Sequence, residues 1–251
     1  MAITIAVSGK GGSGKTTIAS MLVRALLERK DRASILCVDA DPNSCLGLAL
    51  GVQPGVAVAD IREQARAKPA NSGGMDRVRT FEYGLQQAIV EAGKFDLVTM
   101  GRPEGPSCYC AVNSLLRRIL DELSSKYQYV VIDNEAGMEH LSRRTTNHVD
   151  LLCIVAEPTP VGSLTARRIF DLARQLPIVV RRTGVLWNRD GGDHPDLGGM
   201  EVLACVPEDA LVLEASRRGD TVFALPGESP AYQTVRTMVE SLFATPLVKQ
   251  R

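Results

Sequence analysis

Residues 9–17 read Gly9-Lys10-Gly11-Gly12-Ser13-Gly14-Lys15-Thr16-Thr17, and their two flanks decide how the chain folds. Ile3–Val7, just before them, is a short apolar run of strand type. After them Ile18, Leu22 and Leu26 recur at spacing four, with Ala19 and Leu27 widening the stripe, so the spacing predicts an amphipathic helix over Thr16–Lys30. A strand, a glycine-rich loop and a helix in that order make a phosphate-binding loop. Glycines let backbone N–H groups turn inward around phosphate oxygens, and the helix N-terminus adds its partial positive charge. The frame Gly9-x-x-x-x-Gly14-Lys15-Thr16 meets the Walker A pattern. Lys15 is then placed to bridge the β- and γ-phosphates, and the Thr16 hydroxyl to ligate Mg²⁺. Gly9, Lys10, Gly11, Gly12, Ser13, Gly14 and Thr17 complete the expected nucleotide loop.

Further apolar runs read as strands buried on both faces: Ser34–Val38, Phe95–Met100, Tyr129–Ile132, Leu151–Val155, Val179–Leu186 and Val202–Val206. Helical periodicity separates many of them, at Asn113–Lys126, Thr165–Gln175 and Pro230–Phe243. Strand then helix, repeated, predicts an α/β P-loop NTPase fold: a mostly parallel central sheet with helices on both faces. Without a repeat or a long linker, residues 1–251 read as one domain. Ala67–Gly74 is a polar surface loop within it.

The 251 residues are 45% hydrophobic and 23% charged, which excludes a disordered or collagen-like chain. The longest apolar run, Leu151–Ala156, is far too short to span a membrane. The start, Met-Ala-Ile-Thr-Ile-Ala-Val, lacks the basic region of a secretory signal, so a cytoplasmic location is expected. Lys+Arg and Asp+Glu both number 29, a balance that argues against nucleic acid or an anionic membrane as the main partner. Six cysteines would suit a small secreted disulfide framework, which this chain is not. Cys37, Cys153 and Cys205 lie in apolar surroundings and read as core packing; Cys45, after an Asp-Pro-Asn-Ser turn, is not assigned.

Lys10-Gly-Gly-x-Gly-Lys15-Thr16 resembles the deviant Walker A motif of the SIMIBI class of P-loop ATPases, which includes nitrogenase iron protein and the septum-site and plasmid-partition ATPases. The resemblance implies a homodimer in which Lys10 reaches the nucleotide of the other subunit, supplying charge to the transferring phosphoryl group. It also implies that Asp41, of Asp39-Ala-Asp41-Pro42, orients the attacking water. Asp39 points to the same side of the strand and is expected to support the metal or its waters. A plain turn carboxylate around Asn43 is the other reading of both Asp41 and Asp39. Tyr129–Asp133 is a Walker B strand whose Asp133 would hold Mg²⁺ through water. Gly137 takes the place of the class's γ-phosphate sensor; Glu135 and His140, nearby, are not assigned roles. Asn188, and the loop at Pro207 and Glu208, correspond by resemblance to groups about an adenine base. Arg189 and the early Asp190 break the GTPase Asn-Lys-x-Asp pattern, which favours ATP and ADP over guanine nucleotides.

Cys108 and Cys110 stand one residue apart before the Asn113–Lys126 helix. Alternate positions place both sulfurs on one side of an extended segment, offering half of a tetrahedral soft-metal site, so a dimer with this segment at its axis would supply four sulfurs. Packing of small residues and a redox pair are the other readings. Together, the deviant Walker A, Asp-Ala-Asp-Pro-x-Ser-Cys-Leu-Gly, Gly-x-x-Cys-x-Cys and Ala-Gly-x-Glu-His-Leu-x-Arg resemble the CooC family, ATPases that mature the nickel site of carbon monoxide dehydrogenase. The resemblance runs from Met1 to about Leu242. It implies Ni²⁺ or Zn²⁺ bound between subunits by Cys108 and Cys110, slow switch-like ATP hydrolysis, and carbon monoxide dehydrogenase as client. A MinD/ParA-like partition or positioning ATPase is one alternative; the short tail Phe243–Arg251, broken by Pro246, lacks the basic amphipathic helix of its membrane-binding members. A reductase like the iron protein, with an inter-subunit cluster, is another, but its two cysteines are well separated in sequence.

Overall fold

The computed structural model describes residues 2–29, 33–67, 83–84, 86–102, 126–136, 148–176 and 178–244. Cys108, Cys110, Gly137, His140, the Asn113–Lys126 helix apart from Lys126, and the tail beyond 244 lie outside them. Eight strands are described: β1 (Ile3–Gly9), β2 (Ile35–Ala40), β3 (Ile89–Glu91), β4 (Asp96–Thr99), β5 (Tyr129–Asn134), β6 (His148–Ala156), β7 (Val179–Asp190) and β8 (Glu201–Pro207). They form one sheet in the order β3-β4-β2-β5-β1-β6-β7-β8. Every pairing is parallel except β3 with β4. The expected α/β class and mostly parallel sheet are therefore found.

The helices are α1 (Lys15–Leu27), α2 (Leu46–Leu50), α3 (Val58–Ala67), α4 (Pro160–Gln175), α5 (Ala210–Arg218) and α6 (Pro230–Leu242). Local chemistry sets the starts of the last three. Thr159 accepts from the Gly162 N–H at 3.0 Å, and Pro160 fits the first turn of α4, where no N–H is needed. Ser229 and Pro230 repeat this device for α6, and Asp209 caps α5 by accepting from Leu211 N–H at 2.8 Å.

Alternation along the central strands covers both faces of the sheet. Ile5 and Val7 of β1, with Ile35 and Cys37 of β2, pack with α1 and α6 residues in one core. Leu36 and Val38 face the other side with Val58 and Ile61 of α3. Ala6, Ile154 and Trp187 meet Ala166 and Ile169 of α4 in a third cluster on that side. The centre of the sheet is thus dry on both faces, as parallel strands require. Cys37 and Cys153 are fully buried, as expected, whereas Cys205 is only half-buried. No described helix is long and apolar enough to cross a membrane.

Candidate functional site

The phosphate loop joins β1 to α1 at the carboxyl end of the central strand, the edge at which open α/β sheets bind ligands. Its glycines are needed for different reasons. Gly12 and Gly14 adopt left-handed backbone conformations (φ 81° and 92°). Gly9 instead lies against β6, where a Cβ would fall 2.2 Å from the Val155 carbonyl oxygen and 2.9 Å from Ser13 Oγ. Nothing lies within 4 Å of a Cβ at Gly12. Gly12→Ala is therefore expected to cost only the left-handed backbone, about 1 kcal/mol. Gly9→Ala must part β1 from β6 and is expected to cost at least about 2 kcal/mol. Urea unfolding of the two variants checks this order.

Lys10 is exposed at the crest of the loop. Its carbonyl accepts from Ser13 N–H at 3.2 Å and from the Lys15 ammonium at 3.3 Å. Lys15 itself is buried, at 6% exposure, so its ammonium lies across the loop interior. Gly11 faces Ala136, just beyond the Walker B strand, with 4.0 Å from a built Cβ to the Ala136 Cβ. The loop's far side is fastened by Asn188, whose amide donates to Ser13 O at 2.8 Å. A Cβ at Gly14 would lie 2.3 Å from that amide nitrogen. Arg189, at the end of β7, pairs with Glu157 and reaches Gly12 O at 3.5 Å.

Beneath the loop two carboxylates sit side by side. Asp39 of β2 and Asp133 of β5 are register partners on neighbouring parallel strands, 0% and 1% exposed. The Thr16 hydroxyl donates to Asp133 Oδ2 at 2.6 Å. Burial pushes the Asp133 carboxyl up to about 7, held back by the Thr16 hydrogen bond and raised further by Asp39. Burial likewise raises Asp39 to about 6, against the backbone N–H groups of Leu46 and Asp41 that it accepts. Asp133 Oδ1 and Ser13 Oγ are buried without a hydrogen-bond partner among the described residues. Crowded carboxylates with a spare oxygen beside a threonine hydroxyl are what a hard divalent cation requires, so Thr16 and Asp133 fit Mg²⁺.

Asp41 is less deeply placed than Asp39. Its Oδ1 accepts from both Asn43 N–H groups, backbone at 2.9 Å and side chain at 2.8 Å, and so closes a turn at the rim. Cys45, exposed, follows that turn at the start of α2.

Gly14, Thr17, Asn188, Pro207 and Glu208 line one cleft of about 130 Å³ beside α1 and α5. The cleft brings the loop end together with the side chains expected around a base. Asp209 braces its floor, accepting from Ser229 Oγ at 2.6 Å and Ala231 N–H at 3.1 Å. The roles of Arg189 and Glu157 were not legible in sequence, because they meet only through the fold. The one signal, Arg189 where a GTPase has Lys, pointed elsewhere.

Residues 4–222 match the CobQ/CobB/MinD/ParA nucleotide-binding domain family. The chain is 37% identical to an uncharacterized ATP-binding protein of Methanocaldococcus jannaschii, over 95% of this chain and 97% of that one. It is 33% identical to the carbon monoxide dehydrogenase accessory protein CooC of Rhodospirillum rubrum, over 90% of each. Among solved structures, the septum site-determining protein MinD of Pyrococcus horikoshii, complexed with Mg-ADP, superposes with a TM-score of 0.71 at 22% identity, covering 97% of this chain and 96% of that one. With that family model matched along most of its length, the chain belongs to the CobQ/CobB/MinD/ParA family of nucleotide-binding domains.

Proposed function

We propose that this protein is a CooC-type metal-handling ATPase. It hydrolyses ATP to ADP and phosphate at the P-loop and couples hydrolysis to rearrangement of a homodimer that carries Ni²⁺ or Zn²⁺ between paired Cys108 and Cys110. The client is carbon monoxide dehydrogenase. The observation that carries the reading is the 33% identity to CooC along nine-tenths of both chains. The Cys108-x-Cys110 pair adds to it, being thiol chemistry that a nucleotide site does not need. The likeness to MinD, at 22% identity, is one of fold and favours no second function.

In this reading Lys15 and the loop N–H groups hold the β- and γ-phosphates, while Lys10, exposed on the crest, serves the nucleotide of the partner subunit. Thr16 and Asp133 hold Mg²⁺, which neutralises developing charge on the phosphates. Asp39 keeps a negative field behind them, and Asp41 orients the attacking water from the rim. Gly137 senses the γ-phosphate. Asn188, Pro207 and Glu208 flank the adenine, so the amide that fastens Ser13 also links base to phosphate recognition.

The test is anaerobic Ni²⁺ titration of wild type and of Cys108→Ala/Cys110→Ala, with mass followed by light scattering. The wild type is expected to fill, as it dimerises, a site of one Ni²⁺ per two chains. The double variant is expected to lose that half-stoichiometric component and the dimerisation coupled to it, whatever Ni²⁺ binds elsewhere on the chain. A variant that dimerises on Ni²⁺ as wild type does would remove the metal-carrying role.

A further inference from the structure

Beyond the phosphate loop, at the end of β7, three donors of different chemistry converge. Asp190 closes β7, Cys205 lies on neighbouring β8, and His194 comes from the loop between them. A carboxylate oxygen, a ring nitrogen and the Cys205 sulfur all lie within 4.8 Å of one another. No other group of three such donors gathers this closely among the described residues.

We propose that Asp190, His194 and Cys205 form a mononuclear site for a borderline divalent cation of the zinc, nickel and cobalt class. A sulfur, an imidazole and a carboxylate together select that class over Mg²⁺ or Ca²⁺, which take oxygen donors. A tetrahedral ion of this class holds its ligand atoms roughly 3.5 Å apart. Closing the cluster onto an ion therefore takes a contraction of about 1 Å, within reach of side-chain rotation. Three protein donors leave a fourth position for water or an exchanging ligand.

The backbone around the cluster is shaped for this convergence. β7 and β8 pair regularly at Trp187 with Cys205 and Asn188 with Val206, and then the register slips, so that Asp190 faces Pro207. The extra residue is Arg189, held at φ 57° in the left-handed region that a non-glycine side chain rarely adopts. Such a bulge reverses the alternation of side chains. It turns Asp190 toward the face of Trp187 and Cys205, where a regular strand would have sent it to the opposite one. The His194 loop is pinned as well. The His194 ring stacks on the Trp187 indole, 5.9 Å between centroids and 20° between planes. Leu197 and Met200 are buried in the Trp187 cluster. Asp196 accepts from Arg167 Nη2 through its carbonyl at 3.1 Å and from Gly198 N–H through its carboxylate at 2.9 Å. Without an ion, the Cys205 thiol donates to Asp190, and burial together with that carboxylate raises the thiol pKa. Coordination would replace this hydrogen bond, and the thiol proton would pass to solvent.

The proposal does not rest on Cys108 and Cys110, so its test removes them. Co²⁺ is titrated anaerobically into the full-length Cys108→Ala/Cys110→Ala protein. One Co²⁺ per chain is expected, with near-ultraviolet thiolate-to-cobalt absorption. Adding Cys205→Ser should abolish that absorption. Adding His194→Ala, at an exposed residue whose loss leaves the core intact, should weaken binding by about tenfold or more. Absence of the thiolate absorption in the parent, or Co²⁺ affinity unchanged by both further substitutions, would overturn the site and leave a thiol–carboxylate hydrogen bond in its place.

Discussion

Replacing Lys15 by alanine is expected to lower ATP turnover by about 10³-fold or more while moving the melting temperature by less than about 2 °C. The two halves of that expectation have one cause. The Lys15 ammonium is buried, and its one hydrogen bond among the described residues is a 3.3 Å contact to the Lys10 carbonyl. A cation kept from water with one neutral hydrogen-bond acceptor gives the fold little, since its desolvation offsets both that contact and its attraction to Asp133. Alanine at the first turn of α1 also suits the helix. Against a triphosphate, the same cation sits where negative charge develops, in a loop that excludes solvent. Phosphate release and differential scanning fluorimetry on one preparation separate the two effects. Turnover within tenfold of wild type would mean that this loop is not where ATP is hydrolysed.

The second large effect lies at Asp133. Its carboxyl titrates near 7 in the folded protein, against an ordinary value of 3.8, because burial disfavours the charge and Asp39 repels it. A folded pKa above the unfolded one means that folding is favoured while the group is protonated. That contribution is full below about pH 4 and is lost as the pH rises through 7. In chelator, Asp133→Asn is therefore expected to be about 2 kcal/mol more stable than wild type at pH 8, roughly 4–8 °C in melting temperature. The advantage should vanish toward pH 4. The asparagine oxygen can still accept from Thr16, so the 2.6 Å hydrogen bond need not be lost. Turnover should nevertheless fall by at least about 10²-fold, since the Mg²⁺ charge is no longer matched. Melting curves across pH, with and without Mg²⁺, check the sign; a wild type as stable as the variant at pH 8 would show that the buried pair carries no such strain.

Much of this was legible in the sequence because the signals were local. Gly9–Thr17 between a strand and an amphipathic helix fixes the loop, and the apolar runs place seven of the eight strands to within a few residues. Ile89–Glu91 escaped, since three residues at an antiparallel edge are too few to display a period. The helices Val58–Ala67 and Ala210–Arg218 escaped too, although Asp209 ahead of Leu211, Val212 and Ala215 was a usable cap signal. The spacing of Asp39 and Asp41 placed both on one side but did not rank their depth. That follows from β2 lying between β4 and β5, which buries Asp39 and leaves Asp41 on the rim. Cys205 read as a core residue because its neighbours in sequence are apolar, whereas its neighbour in space, Asp190, arrives through a bulge that no pattern of hydrophobicity encodes.

The sheet order also bears on how the chain is made. β1 is synthesised first, yet its two neighbours are β5 and β6, and its first partner, Tyr129, lies 126 positions further on (129 − 3 = 126). Until β5, ending at Asn134, leaves the ribosome, Ile5, Ala6 and Val7 have no strand to pair with, and the loop that follows them has no scaffold. At 5–20 residues per second that wait is roughly 7–27 s. The nucleotide loop, translated directly after β1, is thus assembled only once about half of the chain has been made, and newly made chains should depend on chaperones until the sheet closes around β1.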